Sequence, residues 1–169
     1  MKVDPRVDYS LALLAGGGNP WVALDKEWMS LMADVFTKEK RSEVMKAIRS
    51  KNTRPEVRLR SALHRLGHRF QLHRGGLPGR PDIVFPGKQA AIQVRGCFWH
   101  GHDCIDGHIP KTRKDYWVPK LEATKTRDAR NDRRLRRIGW RLAVVWACRM
   151  ESEAGLYREV RRLERFLKA

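Results

Sequence analysis

The segment "DIVFPGKQAAIQV", residues 82 to 94, sets the tightest limit on the fold. Two apolar runs, "DIVF" and "AAIQV", flank the turn sequence "PGK", and short apolar runs bounded by Pro and Gly read as strands. A hairpin of this size is marginal in water, so the flanking sequence must cover it. Upstream, "HRFQL" reads as another strand ahead of the loop "RGGLPGRP"; downstream, "RLAVVW" reads as a fourth. Three helices are predicted around these strands. "TRPE" is a helix start in which Thr53 caps, Pro55 fits the first turn and Glu56 completes a capping box. Leu59, Ala62, Leu63 and Leu66 then follow helical spacing until Gly67. A long basic helix runs from about Lys114 to Ile138, ended by Gly139, and a last helix aligns Leu156, Val160, Leu163 and Leu167. A short basic helix is also predicted from Thr37 to Lys51, with Val44, Met45, Ala47 and Ile48 as its apolar side. Residues 96 to 113 have no clean period and read as a loop. This order predicts an α/β fold, a mixed central sheet flanked by helices.

Charge narrows the function. Lys and Arg number 36 against 19 Asp and Glu, a net +17 on 169 residues. Such an excess repels itself in a compact fold and points to a polyanionic partner, nucleic acid first. No apolar stretch is long enough to span a membrane, and "LALLA" runs into "GGGNP" too soon for a signal peptide. Three cysteines without an export signal read as thiols or metal ligands in a reducing cytoplasm. Residues 1 to 31, with three adjacent glycines and no sustained period, read as an extension, poorly ordered or lightly docked, before a domain over 32 to 169.

Cys97, His102 and Cys104 form C-x4-H-x-C directly after a strand, and Cys148 follows the next strand. Thiolate and imidazole suit tetrahedral zinc, and four protein ligands make a closed structural site. His100 and His108 are alternative ligands by spacing, and Cys148 could equally be an ordinary buried thiol.

"GRPD" ending at Asp82, the run "IVF" and then "AIQVR" have the layout of a restriction-endonuclease-like PD-(D/E)xK core, where a strand-leading Asp helps hold Mg2+. The ion polarises a phosphodiester and acidifies its attacking water, which requires hard oxygen ligands. Together with "GCFWHGHDC", "MADV", "RSEVMKAIRSKNT" and "RDARNDRRLRRIGWRLAVVW", the chain resembles the very short patch repair (Vsr-type) DNA mismatch endonucleases over roughly Met32 to Cys148. The resemblance implies a bacterial, cytoplasmic, monomeric enzyme that nicks one strand of double-stranded DNA beside a T:G mismatch, with later repair proteins as partners. It implies Mg2+ at Asp82 and the backbone carbonyl of Val94, His100 as the group activating water, and Glu56 organising that water. It also implies structural Zn2+ on Cys97, His102, Cys104 and Cys148. Phe98, Trp99 and Trp117 match aromatics that wedge into the base stack, Met45 matches a residue entering from the opposite groove, and Lys120 matches a base-edge contact. Apolar wedges trade the cost of unstacking for a bent duplex that touches more protein.

One position departs from that pattern. Before "GCFWH" the family commonly has His or Asp, and here stands Arg95, which can neither accept a proton nor ligate Mg2+. It could hold the scissile phosphate, as the lysine of an ExK motif does; Gln93 occupies the place of that motif's carboxylate. Two other readings follow: a catalytically altered or inactive zinc-stabilised DNA-binding relative, and a nuclease of the same fold with different DNA specificity.

Overall fold

The computed structural model describes residues 51–110 and 113–168. Met45, nearly all of the predicted helix over 37 to 51, and the extension over 1 to 31 lie outside the described residues.

Helix α1 (Arg54–Arg65) begins at Thr53 as expected, but the local bonding differs from a capping box. The Thr53 hydroxyl donates to Glu56 Oε1 at 2.6 Å, and Glu56 Oε2 accepts the backbone N–H of Asn52 at 3.0 Å. Glu56 thus reaches one residue further back than the box requires, and it is buried. Strand β1 (Gln71–Leu72) is shorter than "HRFQL", and β2 (Ile83–Phe85) and β3 (Ala90–Arg95) form the expected hairpin around a 3-10 turn. The segment after β3 is not all loop: one helical turn, α2 (Cys97–His100), follows Gly96, and a 3-10 turn covers Ile105–Gly107. Helix α3 (Lys114–Arg137) leads to β4 (Arg141–Trp146), and α4 (Glu153–Lys168) closes the domain.

The sheet order is β1-β2-β3-β4, with β1–β2 and β2–β3 antiparallel and β3–β4 parallel. A parallel return needs a long crossover, which α3 supplies. Alternate residues of each strand face opposite ways. Ile83, Phe85, Ala90, Ile92, Ala143 and Val145 form one face, packed on Leu59 and Leu63 of α1 and on Leu156, Val160, Leu163 and Leu167 of α4. Truncating such a fully buried leucine costs about 2–5 kcal/mol.

The opposite parity, including Arg95, faces α3, whose Asp132 reaches it. The loop before β2 also meets α3: at Gly79, with φ +75, an added Cβ would lie 3.1 Å from the Cβ of Asn131. On the outer edge of β4, Arg162 of α4 donates to the Val144 carbonyl at 2.9 Å, so an otherwise open strand edge is partly covered. No described helix is long and apolar enough to cross a membrane.

Candidate active site and metal centre

Because β3 and β4 are parallel and in register, they end together, Arg95 beside Trp146. The residues that follow each strand therefore converge. Cys97, His102 and Cys104 from beyond β3 meet Cys148 from beyond β4, with ligand atoms all within 4.8 Å of one another. His102 is positioned by stacking on Trp146, ring centroids 4.2 Å apart at 19°, and its Nδ1 lies 3.5 Å from Cys148 Sγ. Gly107 is required here, since a Cβ would collide with the His102 carbonyl. Burial pushes the Cys97 and Cys148 thiols above their ordinary range; a hydrogen bond between the two residues works against this, and Cys104 adds to it. The three cysteines are free thiols. A divalent cation would relieve this crowding by taking the thiolates as ligands, so the donor set fits a metal. His108 and His100 stand elsewhere: His108 Nδ1 pairs with the Ile105 carbonyl at 2.7 Å, and His100 faces α3.

The second cluster joins Glu56, Asp82 and His73, again within 4.8 Å. Asp82 precedes β2, and its Oδ2 accepts the Val94 N–H at 2.8 Å, so Val94 holds this carboxylate through its amide. Burial raises the Asp82 pKa to about 6; the Val94 N–H opposes this, Glu56 adds to it, and Arg95 and Arg60 lower it. A carboxylate carrying that penalty beside a second carboxylate fits a cation site, because a bound cation offsets both costs.

His100 and Arg95 are each matched by an acid on α3. His100 Nδ1 lies 2.5 Å from Asp128 Oδ2, and an Arg95 Nη lies 2.6 Å from Asp132 Oδ1 and 3.1 Å from Gln93 Oε1. Burial works against the Asp128 anion, but the hydrogen bond and charge of His100 hold its pKa below the usual value. With an ionised carboxylate at Nδ1, that nitrogen carries the proton and Nε2 is the basic atom. Arg95 is 9% exposed and one of its guanidinium nitrogens is engaged by Asp132, a pairing that matters because an unpaired cation at this depth would cost several kcal/mol, of order 3–5. The pair Asp128 and Asp132, which resembles an ordinary solubilising charge pattern, is buried instead.

The aromatics form one cluster. Phe98 and Trp99 on α2 meet Trp117 on α3 with centroids 5.0 and 6.1 Å away, and Tyr116 joins at 5.1 Å. Phe98 is turned inward, 7% exposed, so the accessible part falls to Trp99, Trp117 and Tyr116. Lys120 Nζ sits 5.0, 5.6 and 6.0 Å from the Tyr116, Trp117 and Trp99 rings, and donates to the Tyr116 hydroxyl at 2.8 Å.

Four residues of these sites escape sequence reasoning: His73, Asp128, Asp132 and Tyr116. A signal existed for the acids, because Leu121, Asp128, Asp132 and Leu135 share one helical stripe. Tyr116 stands one turn before Lys120, a detectable pairing. His73 had none, since its approach to Asp82 depends on the path of an irregular loop.

The profile of the family described as "DNA mismatch endonuclease Vsr" matches residues 33–106. The chain is 50% identical over 132 residues to the type II nicking enzyme V.XorIIP of Xanthomonas oryzae, covering 78% of this chain and 97% of the relative. It is 40% identical over 137 residues to the type II nicking enzyme V.NmeAIP of Neisseria meningitidis, covering 81% and 98%. It is 39% identical over 138 residues to the DNA mismatch endonuclease Vsr of Escherichia coli, covering 80% and 88%.

Proposed function

The chain belongs to the DNA mismatch endonuclease Vsr family and is an endonuclease, and from that premise we propose that it nicks one strand of duplex DNA beside a T:G mismatch in a Mg2+-dependent reaction. The observation that carries this reading is Asp82, a half-buried carboxylate at the head of β2 with the buried Glu56 beside it. Asp82 and Glu56 would hold or face the ion, which when bound polarises the phosphodiester and acidifies the attacking water. His100 takes the proton at Nε2, while Asp128 fixes the ring through Nδ1. Arg95 positions the end of β3 against α3 rather than touching substrate. Cys97, His102, Cys104 and Cys148 would hold structural Zn2+, a closed set of sulfur and nitrogen donors. On this reading the domain is a restriction-endonuclease-like core whose loop after β3 would be pinned by the metal.

On DNA, the exposed basic face of α3 neutralises phosphates, so affinity falls steeply with salt. Trp99 and Trp117 present the apolar surface that inserts beside the mismatch, and Phe98 supports them from behind. Lys120 is the candidate for base-edge contact, held by its aromatic neighbours until DNA displaces them. A mismatched pair is easier to unstack than a matched one, which favours the wedge at T:G.

A second reading keeps the nick and changes the recognised site. It is favoured by the relatives at 50% and 40% identity, both named type II nicking enzymes. The test is strand cleavage with Mg2+ on matched and T:G duplexes of equal sequence, alongside Asp82→Ala and Arg95→His. Nicking confined to the T:G duplex and lost in Asp82→Ala is expected. Equal cleavage of both duplexes selects the second reading, and an inert parent beside an active Arg95→His variant overturns both.

A further inference from the structure

His73 stands between Glu56 and Asp82 and has no part in the proton transfer assigned to His100. Its Nε2 lies 3.9 Å from Glu56 Oε2, and its Nδ1 lies 3.7 Å from Asp82 Oδ1. Neither separation is a hydrogen bond, and Nε2 is buried without any partner. The backbone adds a second peculiarity. His73 has φ +45, a left-handed conformation uncommon for a residue with a side chain, and its N–H donates to the Asp82 carbonyl at 3.3 Å. An orphaned buried nitrogen and a left-handed backbone both oppose folding, and such features concentrate where a ligand is held.

The arrangement offers one imidazole nitrogen and two carboxylates, with ligand atoms within 4.8 Å of one another. Around one ion with bonds of about 2.1 Å, ligand atoms stand roughly 3 Å apart when adjacent and 4 Å when opposite. Contraction by roughly 1–2 Å would bring all three onto one centre. Mg2+ favours oxygen and keeps its waters, whereas imidazole suits the borderline transition ions. Thiolate is absent from this cluster, which separates its preference from that of the cysteine site.

We propose that Glu56, His73 and Asp82 form a mixed nitrogen–oxygen site for a divalent transition ion, with His73 as the nitrogen ligand and Mn2+ bound in preference to Mg2+. The proposal rests on the reading of Asp82 as a cation ligand. His73 is then held in its costly backbone conformation because only that conformation turns a nitrogen toward the carboxylates. It gives the site a selectivity that an all-oxygen pair lacks.

The test uses the full chain with its cysteine site loaded with zinc, titrated separately with Mn2+ and Mg2+ by calorimetry, with pulsed electron paramagnetic resonance of the bound Mn2+. The parent is expected to bind Mn2+ at least tenfold more tightly than Mg2+ and to show 14N coupling. His73→Gln should lose that coupling and about tenfold or more in Mn2+ affinity, with Mg2+ affinity changed less than about threefold. His100→Gln should keep the coupling, and His73→Ala should repeat the His73→Gln result. Coupling that survives in His73→Gln, coupling lost only in His100→Gln, or equal loss of both ions overturns the role of His73. Undiminished Mn2+ binding by Asp82→Asn would instead remove the cation reading of Asp82 itself.

Discussion

The guanidinium of Arg95 at the end of β3 lies 2.6 Å from the carboxylate of Asp132 on α3, and both side chains are buried. The position that departs from the family pattern therefore carries its counter-charge with it. Removing one member should be far worse than removing both. Asp132→Ala is expected to lower unfolding free energy by about 3–5 kcal/mol, because it strands a buried cation. Replacing the pair together, as Arg95→Met with Asp132→Leu, should cost about 1 kcal/mol or less. Urea unfolding of the two singles and the double gives the coupling directly, and additive losses would mean the pair is not one unit.

Asp128 fixes the His100 ring through Nδ1, so its replacement should change turnover rather than binding. Asp128→Asn presents an amide that can stabilise the other tautomer, putting the proton on Nε2. Single-turnover nicking is expected to fall by about a hundredfold or more, with DNA affinity within about threefold. Unaltered cleavage would show that His100 does not act as a base through Nε2.

Asp82 provides a pH signature. Its pKa is raised from 3.8 to about 6 in the folded chain. Between those values the folded state binds more protons than the unfolded state, so stability without added cation falls as pH rises from about 4 to about 6 and then levels. Asp82→Asn removes this loss. The variant should gain stability relative to the parent over that interval, by on the order of 2–3 kcal/mol at pH 7. Thermal unfolding at pH 4.5 and 7 measures it; a constant difference across both would contradict the raised carboxyl.

The cysteine cluster should bind one ion and depend on it. Purified protein is expected to carry about one equivalent of zinc, as a closed four-ligand site implies. Stripping it should lower the unfolding midpoint by roughly 10 °C, the size expected for a ligand present far above its dissociation constant. Restoring zinc should reverse the change, and Cys148→Ala should abolish the response. Elemental analysis with differential scanning calorimetry decides it.

The hairpin and the three long helices within the described residues were legible in the sequence because each helix carried its own period and two of them a clear stop, at Gly67 and Gly139. That Cys97, His102, Cys104 and Cys148 would gather was legible from their residue types and their positions after two strands, although spacing alone left His100 and His108 open. What sequence could not supply was direction. Asp128 and Asp132 lie in a basic helix, where acids ordinarily face water, and only the turn of α3 over the sheet sends them inward to His100 and Arg95. The one-turn helix Cys97–His100 was missed because four residues are too few to show a period. His73 was invisible for a different reason: it lies just past β1 in an irregular loop with φ +45, and no local pattern fixes the path of such a loop.

The parallel pairing of β3 and β4 places Cys148 beside ligands made much earlier in the chain. During synthesis, Cys97, His102 and Cys104 leave the ribosome as an incomplete set, and the fourth donor arrives only after α3 and β4 have followed. The cluster is therefore complete only once the crossover has been made, so its assembly reports that β4 has docked beside β3.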